Sequence, residues 1–319
     1  MPCARNFHSA CIHKGNMYIY GGKSNGYHTD LYRLNISKER LNAIPYANKP
    51  PLARYGHSMV NINGNFYVFG GYDQHGFCCD DLNKFSLESS TWERVKYQLP
   101  PNFDSHQLAR FHHAACSYKN KILIFGGKGP ENPRGDLLEF DVDTKQWKVL
   151  SNGDPQGPCP RWGHSAVIIA DSLYVYGGRD TVCQYNDLYQ YDLITGKWTT
   201  LYSGSNNTAV SAPTTGSGPA FPPPHRYFHS SVAYKNTMYL IWGKNVYDFC
   251  FSDIIELSFG KVEDSRPPSM EIKEPIMSPT IGSNKRFRFK CHYNGEIRMM
   301  SVAAGTTLSE LMAKLSSEY

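Results

Sequence analysis

Five short segments of the chain share one pattern: RNFHS, RYGHS, RFHHA, RWGHS and RYFHS, beginning at Arg5, Arg54, Arg110, Arg161 and Arg226. Ten residues beyond each arginine stands a turn former: Gly15, Gly64, Asn120, Asp171 or Asn236. Sixteen residues beyond come Gly21-Gly22, Gly70-Gly71, Gly126-Gly127 and Gly177-Gly178, replaced by Trp242-Gly243 in the fifth copy. A second unit begins at Asp30, Asp81, Asp136, Asp187 and Asp253, with Trp92, Trp147 or Trp198 eleven residues later in the middle three copies. Spacing held constant across two strands and their turn is what register in an antiparallel pair demands. In the best-preserved copy, Arg161 to Trp198, four apolar or alternating runs separated by turn signals predict four consecutive antiparallel strands. Leu41 and Asp264 stand where the first and fifth copies would have the tryptophan, so the outer strands of the end copies are expected to be degenerate.

The spacings that vary are equally informative. From the Gly pair to the Asp the distance is 9, 11, 10, 10 and 11 residues, and from the Trp position to the next Arg it is 13, 18, 14 and 28. In a four-stranded up-and-down unit these two connections leave the same edge, so length variation gathers on one face, where binding surfaces usually sit. The longest connection contains residues 203–224, SGSNNTAVSAPTTGSGPAFPPP, whose composition predicts a flexible excursion from that face.

Four-stranded units repeating about every 50 residues fit a β-propeller, and that period with a Gly pair is of the kelch type. The Arg-x-x-His-Ser run, the Gly-Gly, the Asp-Leu-Tyr and the Trp together resemble kelch repeats over residues 1–259. The fold class expected is therefore all-β, a kelch-type β-propeller of five recognisable blades. The resemblance implies that the residue after each repeat arginine lines the mouth of a central channel. That makes Tyr55, Phe111, Trp162 and Tyr227 partner-binding candidates, with Asn6 in the first copy and packing between blades as the competing role. Loop candidates for recognition are Tyr27 and His28, His75 and Phe77, Glu131 and Arg134, Arg179 and Gln184, and Tyr247 and Phe249. The repeat arginines are expected to be structural, bonding carbonyls between blades. The repeat histidines His8, His57, His113, His164 and His229 are spread around the ring by the same symmetry, so they do not converge on a metal.

Beyond residue 259 the repeat fades. Residues 260–284 carry Pro267, Pro268, Pro275 and Pro279 without periodicity and read as a linker. RFRFKCHY (286–293) then alternates as a strand, Asn294-Gly295 is a hairpin turn, and EIRMMSV (296–302) is the return strand. Thr306 or Thr307 caps a following helix with Leu308, Leu311, Met312 and Leu315 as its apolar stripe. Residues 285–319 resemble the N-terminal half of a Phox and Bem1 domain, a partial α+β ubiquitin-like β-grasp unit, especially the version in atypical protein kinase C. The resemblance implies that Lys290, helped by Arg288 and Arg298, forms a basic strand face that docks onto an acidic-type Phox and Bem1 domain of a partner.

Composition narrows the function classes. Thirty-three basic against 28 acidic residues leave a net charge of +5 with no long basic run, so nucleic acid is not indicated. Nine cysteines form no CxxC pair, which suits reduced thiols in a cytoplasmic protein. No stretch is apolar enough to span a bilayer. No nucleophile elbow, phosphate-binding Gly loop or HExxH motif is present. The reading is a non-enzymatic adaptor or scaffold without cofactor, binding a protein or peptide on the propeller loop face and an acidic domain through Lys290 in signalling. The rivals are a substrate receptor of a ubiquitin ligase and a propeller enzyme of copper-oxidase or sugar-isomerase type, for which Cys183 and Tyr185 would be the pair to inspect.

Overall fold

A computed structural model describes residues 3–204 and 223–259, together with the backbone strands 270–276, 286–293 and 296–303. The first blade is β1 (Ser9–His13), β2 (Asn16–Tyr20), β3 (Leu31–Asn35) and β4 (Arg40–Ala43). The second has β5 (Arg54–Tyr55) paired with β8 (Tyr72–Asp73) at its entrance, and β6 (Ser58–Ile62), β7 (Asn65–Phe69), β9 (Leu82–Ser86) and β10 (Thr91–Arg94) as its sheet. The third runs β11 (Ala114–Tyr118), β12 (Lys121–Phe125), β13 (Asp136–Asp141) and β14 (Gln146–Asn152). The fourth runs β15 (Ser165–Ile169), β16 (Ser172–Arg179), β17 (Gln184–Asp192) and β18 (Lys197–Tyr202). The fifth runs β19 (Ser230–Tyr234), β20 (Thr237–Ile241), β21 (Ile254–Phe259) and β22 (Met270–Ile276). Each sheet pairs its four strands in sequence order, antiparallel throughout, and the innermost strands β1, β6, β11, β15 and β19 stand side by side. This is the five-bladed propeller expected.

Two expectations need correction. The fifth sheet does not end at residue 259: Met270–Ile276, inside the stretch read as linker, pairs with β21 as the outer strand. A proline normally argues against a strand, but it is tolerated on an edge or at a bulge. Here the register shifts between Ile254 and Glu256, and Pro275 falls in that irregularity. The outer strand of the first blade is likewise intact, with Leu41 facing Leu34 in β4. Arg286–Tyr293 (β23) and Glu296–Ala303 (β24) form an antiparallel pair, and residues 294–295 between them lie outside the described residues. The helix expected after Thr307 and most of the 203–224 connection lie outside the described residues.

The blades hold together through apolar cores at their junctions. Tyr18, Tyr20 and Leu31 of the first blade meet Met59, Phe66, Val68, Phe85 and Trp92 of the second. Val60, Ile62, Tyr67 and Phe69 of the second meet Ile122, Ile124, Phe140 and Trp147 of the third. Phe125 and Leu137 of the third meet Leu173, Val175 and Trp198 of the fourth, and Val167, Ile169 and Tyr176 meet Met238, Leu240 and Leu257 of the fifth. Among the described residues no such core joins the fifth blade to the first. Val232, which occupies in β19 the place of Val60 in β6, is 50% exposed against 7%.

The Gly pair is explained at the same junctions. A Cβ on Gly126 would lie 2.7 Å from His164 Cε1 and 2.8 Å from the Arg161 carbonyl oxygen of the next repeat, and its φ is +64°. Only glycine satisfies both demands without strain. The second glycine of each pair then donates its N–H to the next repeat arginine's carbonyl: Gly22 to Arg54, Gly71 to Arg110, Gly127 to Arg161 and Gly178 to Arg226. In the fifth blade the first glycine is replaced by Trp242, 60% exposed with φ +61°, and among the described residues no bond joins Gly243 to Arg5. An indole stands where every other blade leaves room for its neighbour's histidine, which closes the series of interlocks at that edge.

Candidate protein-binding face

The repeat arginines are framework. Arg161 is fully buried; its Nε donates to the Cys159 carbonyl at 2.9 Å and its Nη1 to the Gly177 carbonyl at 2.9 Å. The same guanidinium grips Asp187 with both ends, at 2.5 and 3.0 Å. The pattern repeats as Arg5 with Asp30, Arg54 with Asp81, Arg110 with Asp136 and Arg226 with Asp253. The expectation of carbonyls between blades is therefore corrected: each guanidinium ties together the start of the first strand, the end of the second and the start of the third within its own repeat. The carboxylates answer in kind. Burial works to raise the Asp81 pKa, but the hydrogen bond and charge of Arg54 outweigh it and leave it below the usual value.

The histidines are framework too. His57, His113, His164 and His229 are buried against the Gly pairs of the preceding blades. Burial, aided by the repeat arginine, pushes His57 and His164 down to about 3, so they remain neutral. His8, whose preceding blade would be the fifth, is exposed.

On the face where the second-to-third-strand loops emerge, the residue after each arginine bridges the residue after each Gly pair. The bridges are Asn6 with Lys23, Tyr55 with Tyr72, Phe111 with Lys128, Trp162 with Arg179 and Tyr227 with Lys244. Three of the four cations so placed also reach the aromatic ring of the following blade. Lys23 lies 5.3 Å from the Tyr55 ring centroid, Lys128 5.5 Å from Trp162, and Arg179 5.3 Å from Tyr227. Arg179 further stacks on Trp162 at 5.4 Å and Lys244 on Tyr227 at 5.5 Å, within cation–π range. Tyr72 fills the cationic position of the second blade and packs on Phe111, with ring centroids 5.2 Å apart.

At the axis the residues two beyond the arginines meet. Phe7, His112 and Phe228 pack with ring centroids 4.7 to 5.0 Å apart, each in the left-handed region at φ 53° to 55°. The backbone between them is stitched from blade to blade, Gly56 N–H to the Phe7 carbonyl, His112 to Gly56, Gly163 to His112 and Phe228 to Gly163. Burial pushes His112 down to about 3, so this plug is uncharged. It makes the mouth a shallow surface rather than a deep channel.

Of the sequence candidates, the structure brings Tyr55, Phe111, Trp162, Tyr227 and Arg179 into one ring. Tyr227 is the most deeply placed, 6% exposed, and contributes packing. Around the ring stand the exposed loop tips Phe77, Tyr247 and Phe249, while Arg134 is drawn to the His106 carbonyl at 3.1 Å. Lys23, Lys128, Lys244 and the axial plug escaped sequence reasoning, although they too recur at fixed distances from the arginine. Lys290 and Arg288 lie two apart on β23, opposite Met299 and Ser301 of β24. Among the described residues no group of three or more His, Cys, Asp and Glu is arranged to hold a metal, and the Tyr185 hydroxyl donates to Asp180 at 2.6 Å. No helix of the described residues is long and apolar enough to cross a membrane.

The repeat residues are matched by the KLHDC2/KLHL20/DRC7 Kelch-repeats domain, at residues 1–109 and again at 97–215. The chain belongs to the kelch-repeat family. Kelch domain-containing protein 10 of Xenopus tropicalis is 26% identical over 247 residues, covering 74% of this chain and 55% of that protein. Acyl-CoA-binding domain-containing protein 5 of Arabidopsis thaliana is 28% identical over 229 residues, 69% of this chain and 32% of its own. Kelch domain-containing protein 3 of Homo sapiens is 28% identical over 191 residues, 56% and 48% respectively. The chain thus spans between 32% and 55% of the length of these three relatives. Kelch-repeat domains generally mediate protein–protein interaction and are generally non-enzymatic binding modules.

Proposed function

We propose that this kelch chain is a non-enzymatic adaptor that holds a protein or peptide on the loop face of its propeller. The observation that carries the reading is the ring of aromatics and cations at the mouth, Tyr55, Phe111, Lys128, Trp162, Arg179, Tyr227 and Lys244, over an uncharged plug. Rigid rings offer contact area at little entropic cost, and the interleaved cations complement carboxylates on a partner. The commitment of the buried arginine–aspartate pairs to the frame supports the non-enzymatic reading. The C-terminal segment supplies a second arm: Lys290, with Arg288, docks the adaptor onto an acidic-type Phox and Bem1 domain of a cytoplasmic signalling partner. The alternating basic strand and its antiparallel pairing support that arm.

One affinity-purification series tests both arms in the full chain. Trp162→Ala with Arg179→Glu is expected to lose the propeller-bound partners while keeping capture of a purified acidic-type Phox and Bem1 domain. Lys290→Glu is expected to do the reverse. Partner profiles left unchanged by the first pair would sink the loop-face reading, and domain capture that survives Lys290→Glu would sink the docking arm.

A further inference from the structure

Cys3, Ser24 and His28 come together where the loop between β2 and β3 folds back on the segment leading into β1. His28 Nε2 lies 2.8 Å from Ser24 Oγ and 3.5 Å from Cys3 Sγ, and the two side chains of Cys3 and Ser24 are 3.9 Å apart. From the other side Arg5 Nη2 donates to Cys3 Sγ at 3.5 Å. Arg5 is fixed in that position, because its guanidinium also donates to Asp30, to the Gly21 carbonyl and, through Nε, to the Cys3 carbonyl. Cys3 itself is exposed.

A thiol reacts as its thiolate, and thiolates form beside fixed cations and bases. An imidazole in reach of the sulfur accepts its proton, directly or through the Ser24 hydroxyl that bonds the same ring nitrogen, and a guanidinium pairs with the anion, which together activate a thiol. The arrangement, and not the presence of a cysteine, distinguishes this position. Burial pushes the thiols of Cys11, Cys78 and Cys116 up to about 12 and that of Cys79 up to about 11, so they stay protonated. Cys159 and Cys250 are exposed, but among the described residues no imidazole or guanidinium is bonded to either sulfur.

The geometry points to Cys3 as a selectively reactive thiol, a modification site that takes small disulfides. His28 accepts the thiol proton, and the Cys3 thiolate attacks one sulfur of the disulfide. The S–S bond breaks, the other sulfur leaves with the bonding pair as a thiolate, and a mixed disulfide remains on Cys3. The disulfide is the oxidant and is reduced as Cys3 is oxidised, with one thiolate released for each site modified. The site adjoins Lys23 and Tyr27 on the loop face, yet the inference stands on the cluster alone and does not require the partner-binding reading.

The test exposes the reduced full chain, folded, to oxidised glutathione and follows the mixed disulfide on Cys3, Cys159 and Cys250 in one sample by peptide mass spectrometry. Cys3 is expected to react about tenfold faster than either reference. His28→Asn is expected to slow Cys3 about tenfold and to leave Cys159 and Cys250 unchanged. Ser24→Ala, a milder change, is expected to slow Cys3 about threefold, which keeps the test decisive if His28→Asn does not fold. A Cys3 rate within about twofold of the references, or one indifferent to both substitutions in folded protein, overturns the assignment.

Discussion

Arg161 and Asp187 form an ion pair taken almost wholly out of water, with side chains 0% and 7% exposed. Such a pair gains little over two apolar residues, but removing one partner strands a buried charge. Arg161→Met is therefore expected to cost about 3–5 kcal/mol of stability, measured by urea unfolding. Arg161→Met with Asp187→Leu is expected to recover much of that loss, since no charge is then left unpaired. A single substitution as mild as the double would contradict the framework role. At this scale the sequence announces the position but not the partner. The spacing from Arg to Asp is visible in all five copies, yet it reads as the starts of two separate units. Only folding brings the second-to-third-strand loop back onto the arginine, because a side-chain pair across a loop leaves no periodicity in the chain.

Each blade docks on the next by fitting a neutral histidine against a glycine, and that fit depends on pH. His57 and His164 are pushed down to about 3, burial being the main cause, and His113 and His229 also lie well below the ordinary value of 6.5. Below pH 6.5 the unfolded chain binds protons at these sites while the folded chain does not. The stability they supply is thus fully present above 6.5 and is lost as pH falls toward about 3. The carboxylates, Asp81 among them, begin to weaken the fold only below 3.8. The urea midpoint is expected to fall steadily from about pH 6.5 downward, and His164→Gln to flatten the slope. A midpoint level down to about pH 4.5 would refute the interlock. The strands themselves were legible, because alternation and turn residues specify a hairpin locally. The last strand, β22, was not: Pro275 and the missing tryptophan mask it, and its place is decided by the free edge of β21.

Across the whole molecule, four junctions are alike and the fifth differs. Trp242 replaces the receiving glycine, His8 is exposed, and Ile12 of β1 and Val232 of β19 are 54% and 50% exposed. Phe7 and Phe228 still touch at the axis, with centroids 5.0 Å apart, so the end blades meet at the mouth without sharing a core. Strands packed on one side open at lower free energy than strands packed on both. Amide hydrogen exchange is therefore expected to be faster in β1 and β19 than in β6, β11 and β15, and equal protection in all five would argue for a closed ring. The sequence by itself determined the repeat, the strand order within the middle blades, the family and the face on which the loops gather, because constant spacing and turn chemistry act between near neighbours. The tertiary structure alone decided which charges pair, that the channel is plugged by Phe7, His112 and Phe228, and that the cation of one blade stacks on the aromatic of the next. The charges pair across a loop inside one blade, whereas the stacking and plug contacts join residues from 32 (Lys23 with Tyr55) to 221 (Phe7 with Phe228) positions apart, which only the blades' packing around a common axis brings within reach.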